Sequence, residues 1–176
     1  MKKRISMILC ILFLVSLVST QAFAEASADI TEVSLGDILA VEDLMDFTIK
    51  SISFSKSEKY YGKDGVNYST YAAGGEYRFL LVNCVLLNVS LDYYTYDSHI
   101  SNVKIVYRDK YEYEPVYLQN ARGKKLLTQK LWEVEALVSI TPVFLFKVPK
   151  IIEETSLESI YLYFTLDNAD YVCKIR

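Results

Sequence analysis

Apolar and polar residues alternate through most of this chain, and the pattern is densest in residues 77–90, YRFLLVNCVLLNVS. Every second residue puts Leu80, Val82, Cys84 and Leu86 on one face and Phe79, Leu81, Asn83, Val85 and Leu87 on the other. A strand apolar on both faces is a central one, covered by an opposing sheet on one side and by a loop, a helix or a partner on the other. Either the chain itself covers the second face, or that face is an interface.

Half-buried strands surround this one. Phe47 and Ile49 lead into Ile52 and Phe54, which alternate with Ser51, Ser53 and Ser55, with an irregularity expected at Lys50. Val103, Ile105 and Tyr107 alternate with Lys104, Val106 and Arg108. The polar turn Arg108-Asp109-Lys110 then returns the chain through Tyr111 and Tyr113. Pro115 closes this hairpin or moves it to an edge, because proline cannot donate to a ladder. Ile160, Leu162 and Phe164 alternate with Tyr161 and Tyr163, Asp167-Asn168 makes a turn, and residues 171–176 form a last strand.

Three stretches interrupt the pattern. Residues 56–75 hold four glycines and the turn signal Lys63-Asp64-Gly65, and read as a long loop or loose hairpin. Residues 124–138 fit both periods: Leu127, Leu131, Val134 and Val138 make a helical stripe, whereas Trp132, Val134, Ala136 and Val138 alternate. The β-rich run that follows favours a strand over 132–140, preceded by a helical turn near 124–130. Residues 151–158 read as a loop or short helix. With 15 tyrosines and 8 phenylalanines against 6 glycines and 3 prolines, the composition agrees with an all-β chain. Seven to nine short strands at regular intervals point to an antiparallel β-sandwich.

The N-terminus changes the compartment. Lys2, Lys3 and Arg4 precede an apolar stretch from Ile8 to Val18 and the small-residue site Ala22-Phe23-Ala24, the pattern of a secretory signal peptide over residues 1–24 cleaved after Ala24. The apolar stretch is short for a membrane span. Cys10 lies inside that stretch after Leu9, without the small neighbour that a lipidation site requires. Residues 25–32 are a polar linker and 33–176 a single domain, secreted or associated with the cell envelope. Without the leader, 16 basic residues face 22 acidic ones, a net charge of −6. No basic face forms, so nucleic acid is not an expected partner, nor is stable membrane insertion after the leader is removed.

In this order the motifs become familiar. Leu35-Gly36-Asp37, the apolar strand from Arg78 ending in Asn88, the hairpin VKIVYRDKYEYEP at 103–115 and Phe146-Lys147-Val148-Pro149 together resemble the Gram-positive extracellular immunoglobulin-like domains of unknown function found in secreted proteins and lipoproteins. The chain departs from that pattern at Lys110, where the family has a turn glycine, and around 135–137, where it has a Pro-Gly turn. The resemblance implies an immunoglobulin-like sandwich outside the membrane and brings no catalytic residues.

Sites for chemistry are sparse. His99 is the only histidine, too few for a histidine triad or a multi-histidine metal site, and it reads as a solvated loop residue. No phosphate loop is present. No catalytic residue, cofactor or metal is expected, although a carboxylate-based hydrolase needs only two acids and stays as a third reading. Cys84 and Cys173 both fall on apolar faces, as a disulfide in a secreted protein or as two buried thiols. Asn67-Tyr68-Ser69 and Asn88-Val89-Ser90 match the glycosylation sequon by chance, with Asn88 a strand-end turn residue. Tyr60, Tyr61, Tyr93, Tyr94 and Tyr96 lie in loops, where tyrosine gives a large contact area at low entropic cost. The expected role is a non-catalytic extracellular binding module for a protein or cell-wall glycan. The alternative is a structural or self-assembling envelope protein, in which the outer face of residues 79–87 or a free sheet edge pairs with another copy or another envelope protein.

Overall fold

The computed structural model describes residues 30–61, 68–95, 98–120, 125–126 and 133–176. The leader over 1–24 and most of the linker therefore lie outside the described residues. So do Tyr96, Asn67, Trp132 and the Lys63-Asp64-Gly65 turn.

The fold is an all-β sandwich. One sheet has five strands in the order β1 (Thr31–Val33), β16 (Ala169–Lys174), β15 (Ile160–Leu166), β8 (Ile100–Tyr107) and β9 (Tyr111–Tyr113). The other runs β2 (Leu39–Val41), β3 (Met45–Ser55), β6 (Tyr77–Asn88), β14 (Pro142–Pro149), β10 (Pro115–Asn120), β11 (Lys125–Leu126), β4 (Ser57–Tyr61), β5 (Tyr68–Ala72), with β13 (Ser139–Ile140) also on β6. A small ribbon joins β7 (Tyr94–Thr95) to β12 (Glu133–Val134). Only Lys56 separates β3 from β4, yet the two stand far apart along the sheet path, so the larger sheet curls back towards its start. Among the described residues nine strands have five or more residues, in line with the expected seven to nine, and the remainder are two- or three-residue pieces.

The central strand is where its pattern placed it. β6 pairs with β3 on one side and β14 on the other. Leu80, Val82, Cys84 and Leu86 face the core, against Phe146, Ile105, Leu162 and Phe164. Phe47 and Phe164 meet across it with ring centres 5.6 Å apart. The irregularity expected at Lys50 is a β-bulge between Ile49 and Ser51, which keeps Phe47, Ile49, Ile52 and Phe54 all on the core side. The second face of β6 is covered at one end by the protein itself: Phe79 packs with Ala73, Val143 and Leu145.

Two of the described hairpin turns are made without glycine. Arg108 and Asp109 take φ of 55° and 51°, and Asp167 and Asn168 take 46° and 68°; the second pair is the whole two-residue loop between the paired Leu166 and Ala169, whereas Tyr107 pairs with Tyr111 across three residues. The first turn thus bends one residue before Lys110. Pro115 marks the point where the chain leaves the five-stranded sheet after β9 and enters the larger one as β10.

Three expectations are corrected. The single strand over 132–140 is broken: Glu133–Val134 pair with β7, the chain turns with Leu137 at φ 58°, and Ser139–Ile140 pair with Leu87 and Leu86. Pairing with two different partners requires the break. At 124–130, Lys125–Leu126 are strand, not a helical turn, and residues 127–130 lie outside the described residues. The helix among the described residues is α1 (Lys150–Glu154), where a loop or short helix was expected, and it buries Ile152 directly after Pro149. Finally, Thr31 and Glu32 belong to the domain rather than the linker, since they pair in parallel with Tyr171 and Val172.

Candidate functional site

The loop tyrosines do not form a described surface. Tyr94 is 8 % exposed and belongs to the core, its ring edge-on to His99 at 5.2 Å, and burial pushes its phenol pKa up. It is withdrawn from the binding surface because β7 turns it inward to pair with β12. Its neighbour Tyr93 is 70 % exposed. Tyr60 and Tyr61 are paired backbone in β4, opposite Ser69 and Tyr68, and their side chains lie outside what the structure describes, as does Tyr96. His99 is half-buried rather than solvated, with Nδ1 3.3 Å from Oδ1 of Asp167.

Asn88 is not merely a turn residue. It is fully buried at the end of β6, and its Nδ2 donates to the carbonyls of Asp92, Val134 and Glu135 at 2.8, 3.0 and 3.1 Å. Its Oδ1 accepts from the Ser90 backbone N–H and hydroxyl. One amide thereby ties together two loops whose apolar tips, Leu91 (83 % exposed), Tyr93, Leu137 and Val138, point to solvent.

A different site lies on the outer face of the five-stranded sheet. Because β15 buries Ile160, Leu162, Phe164 and Leu166, the period of two sends Tyr161, Tyr163 and Thr165 outward. Their cross-strand neighbours on this face are Val106 and Lys104 of β8 and Lys174, Val172 and Asp170 of β16. The two tyrosine rings sit side by side with centres 6.5 Å apart. A groove of about 450 Å³ runs past Tyr163, lined by Asn102, Lys104, Glu112, Thr165 and Asp170 among others.

A bulge shapes the groove. Tyr163 pairs with Lys104, but Thr165 pairs with Ser101, so Asn102 and Val103 stand opposite Phe164 alone. The extra residue re-aims the strand. Asn102 adopts φ 52°, and its Nδ2 donates to the Thr165 hydroxyl at 3.1 Å, which in turn donates to Oδ1 of Asp170 at 2.6 Å. At the other side Lys104 Nζ lies 2.9 Å from Oε1 of Glu112 and 5.9 Å from the Tyr163 ring centre. A non-glycine residue in the left-handed region beside a groove is a place to look for function. The groove offers aromatic faces, donors and acceptors, and slightly more negative than positive charge. Among the described residues, no group of three or more His, Cys, Asp or Glu side chains could hold a metal ion.

The sequence reading missed this site. The signal was present as tyrosine at alternate positions of β15, but that is also what a strand's solvent face looks like. Only the bulge in β8, invisible in the sequence, brings Asn102 beside them.

No protein-family model and no curated protein matches the chain. Solved structures do. An uncharacterised β-sandwich protein from Clostridium difficile superposes with a TM-score of 0.67 at 20 % identity, over 84 % of this chain and 95 % of that one. A conserved hypothetical protein from Bacillus anthracis gives 0.53 at 14 % identity, over 81 % and 94 %. At these identities the likeness extends to the fold, a β-sandwich shared with proteins of Gram-positive bacteria.

Proposed function

We propose that this chain is a non-catalytic extracellular binding module of the immunoglobulin-like kind, released from its leader after Ala24, and that it presents the Tyr161–Tyr163 face to a cell-envelope glycan. The observation that carries the reading is the pair of half-exposed tyrosines on a rigid strand beside a ready set of hydrogen-bonding side chains. Sugar rings offer C–H faces to aromatic rings and hydroxyls to Asn102, Thr165 and Asp170, while the acidic side chains disfavour a polyanion. Hydrolysis has less support, since Glu112 is paired with Lys104 and Asp170 is bonded to Thr165.

The test is a titration of residues 25–176 with soluble peptidoglycan fragments and wall polysaccharide, followed by the NMR shifts of tyrosine rings. Saturable shifts at Tyr161 and Tyr163 that vanish in Tyr163→Ala are expected. Unchanged spectra with every glycan would sink the reading.

Assembly into larger structures is the second reading. Phe79 is covered by the chain itself, whereas Leu81, Val85 and Leu87 on the same face of β6 are half-buried, so such a contact would centre on the more exposed Leu91, Tyr93 and Leu137. A concentration-dependent dimer in sedimentation, lost in Leu91→Ser/Leu137→Ser, would favour it.

A further inference from the structure

Cys84 and Cys173 are two free thiols in this structure, buried in the same core cluster but on opposite sheets, Cys84 in β6 and Cys173 in β16. The Ser34–Asp37 turn joins the strands that flank them. Val33 pairs with Cys173, and three residues later the N–H of Gly36 donates to the carbonyl of Ile49 at 2.9 Å, while Ile49 pairs with Cys84. Three residues of chain reach about 10 Å at most, so the strand neighbours of the two cysteines are tied closely together. The turn is itself fixed, with Oδ2 of Asp37 accepting from the Ser34 N–H at 2.8 Å and Gly36 at φ 93°. Burial raises the pKa of both thiols. The nearby Cys173 adds to the rise at Cys84, and the Asp37 carboxylate adds to it at Cys173.

We propose that Cys84 and Cys173 are the two halves of a disulfide that staples the sheets together, formed as the chain folds in contact with a disulfide oxidant. Both S–H bonds break and one S–S bond forms. The two electrons and two protons pass to the oxidant, whose own disulfide becomes two thiols. The thiolate is the attacking form, and thiols raised by burial scarcely ionise, so exchange belongs to the folding chain before the core shuts. The bridge would close a loop of about ninety residues and constrain the unfolded chain accordingly.

The experiment is oxidative refolding of the chain in a glutathione redox buffer, then alkylation in denaturant and tryptic mapping. The expected product is the peptide 79–104 joined to 151–174, separated again by reductant. A rise in Tm of roughly 10 °C over the reduced protein should accompany it, and Cys84→Ala/Cys173→Ala should be insensitive to reductant. The pH profile gives an independent readout. Thiols whose pKa is raised by folding add stability that is full below their ordinary value of 9.0 and lost as pH rises above it. The reduced protein should therefore weaken above about pH 9 where the oxidised one does not. Full alkylation of both cysteines in oxidatively refolded protein with native circular dichroism would overturn the proposal.

Discussion

The outer faces of the two sheets answer the same structural problem in opposite ways. On the nine-stranded sheet, β6 sends Phe79, Leu81, Val85 and Leu87 outward; Phe79 is buried at one end with Ala73, Val143 and Leu145, while Leu81, Val85 and Leu87 are half-buried. On the five-stranded sheet, β15 sends out Tyr161, Tyr163 and Thr165, which stay half-exposed beside an open groove. Both strands are fully committed to the core on their inner side. The difference lies in the tolerance for water. Phenylalanine and leucine gain only when covered, whereas a tyrosine can bury its ring edge and keep its hydroxyl wet. One outer face serves stability and the other is free to serve recognition.

The largest test of this contrast is Phe79→Ala. Removing a nearly buried ring from the covered face should destabilise by about 3 kcal/mol in urea unfolding, as in core truncations. A loss below about 1 kcal/mol would show that Ala73 and β14 do not cover that face. The next concerns polar groups. Asn88→Ala would take its donor from the buried carbonyl of Val134 and one donor each from the part-buried carbonyls of Asp92 and Glu135, which keep the Ser90 hydroxyl and the Val138 N–H, at a cost of about 2 kcal/mol. Hydrogen exchange should accelerate across 133–138. Thr165→Val on the open face also breaks two hydrogen bonds, but water replaces them, so a change within about 0.5 kcal/mol is expected.

These outcomes depend on features of unequal legibility in the sequence. The central strand could be read from residues 77–90 because apolar residues at both parities allow few other placements, and the bulge at Lys50 followed from the shift in parity between Ile49 and Ile52. Pro115 was readable as a boundary, though not as the point of passage between sheets. The segment 132–140 was misread because periodicity reports a residue's face and not its partner, and here the partner changes from β7 to β6 around Leu137. Tyrosine was the hardest residue to place. Tyr93 and Tyr94 are adjacent in sequence, yet one is exposed and the other lies in the core, because a two-residue ribbon with Glu133–Val134, remote in sequence, decides which way each one points. The groove depends on register in the same way: Thr165 meets Asn102 only because the ladder slips past Phe164.

Another small expected effect on stability is the one that bears most on function. Tyr163→Ala removes a half-exposed ring that packs beside Tyr161 and under Lys104, and it opens no cavity in the core. Unfolding free energy should fall by less than about 1 kcal/mol, in the range of ordinary surface changes. Affinity for the proposed glycan ligand should fall by tenfold or more, since a stacking ring is the kind of residue that dominates a binding face. Tyr163→Phe separates the two roles of the side chain: it keeps the ring, so binding by stacking survives, whereas binding that needs the hydroxyl does not. If Tyr163→Ala instead destabilised as much as Phe79→Ala, the tyrosine would be a structural cover like the phenylalanine, and the contrast between the two faces would disappear.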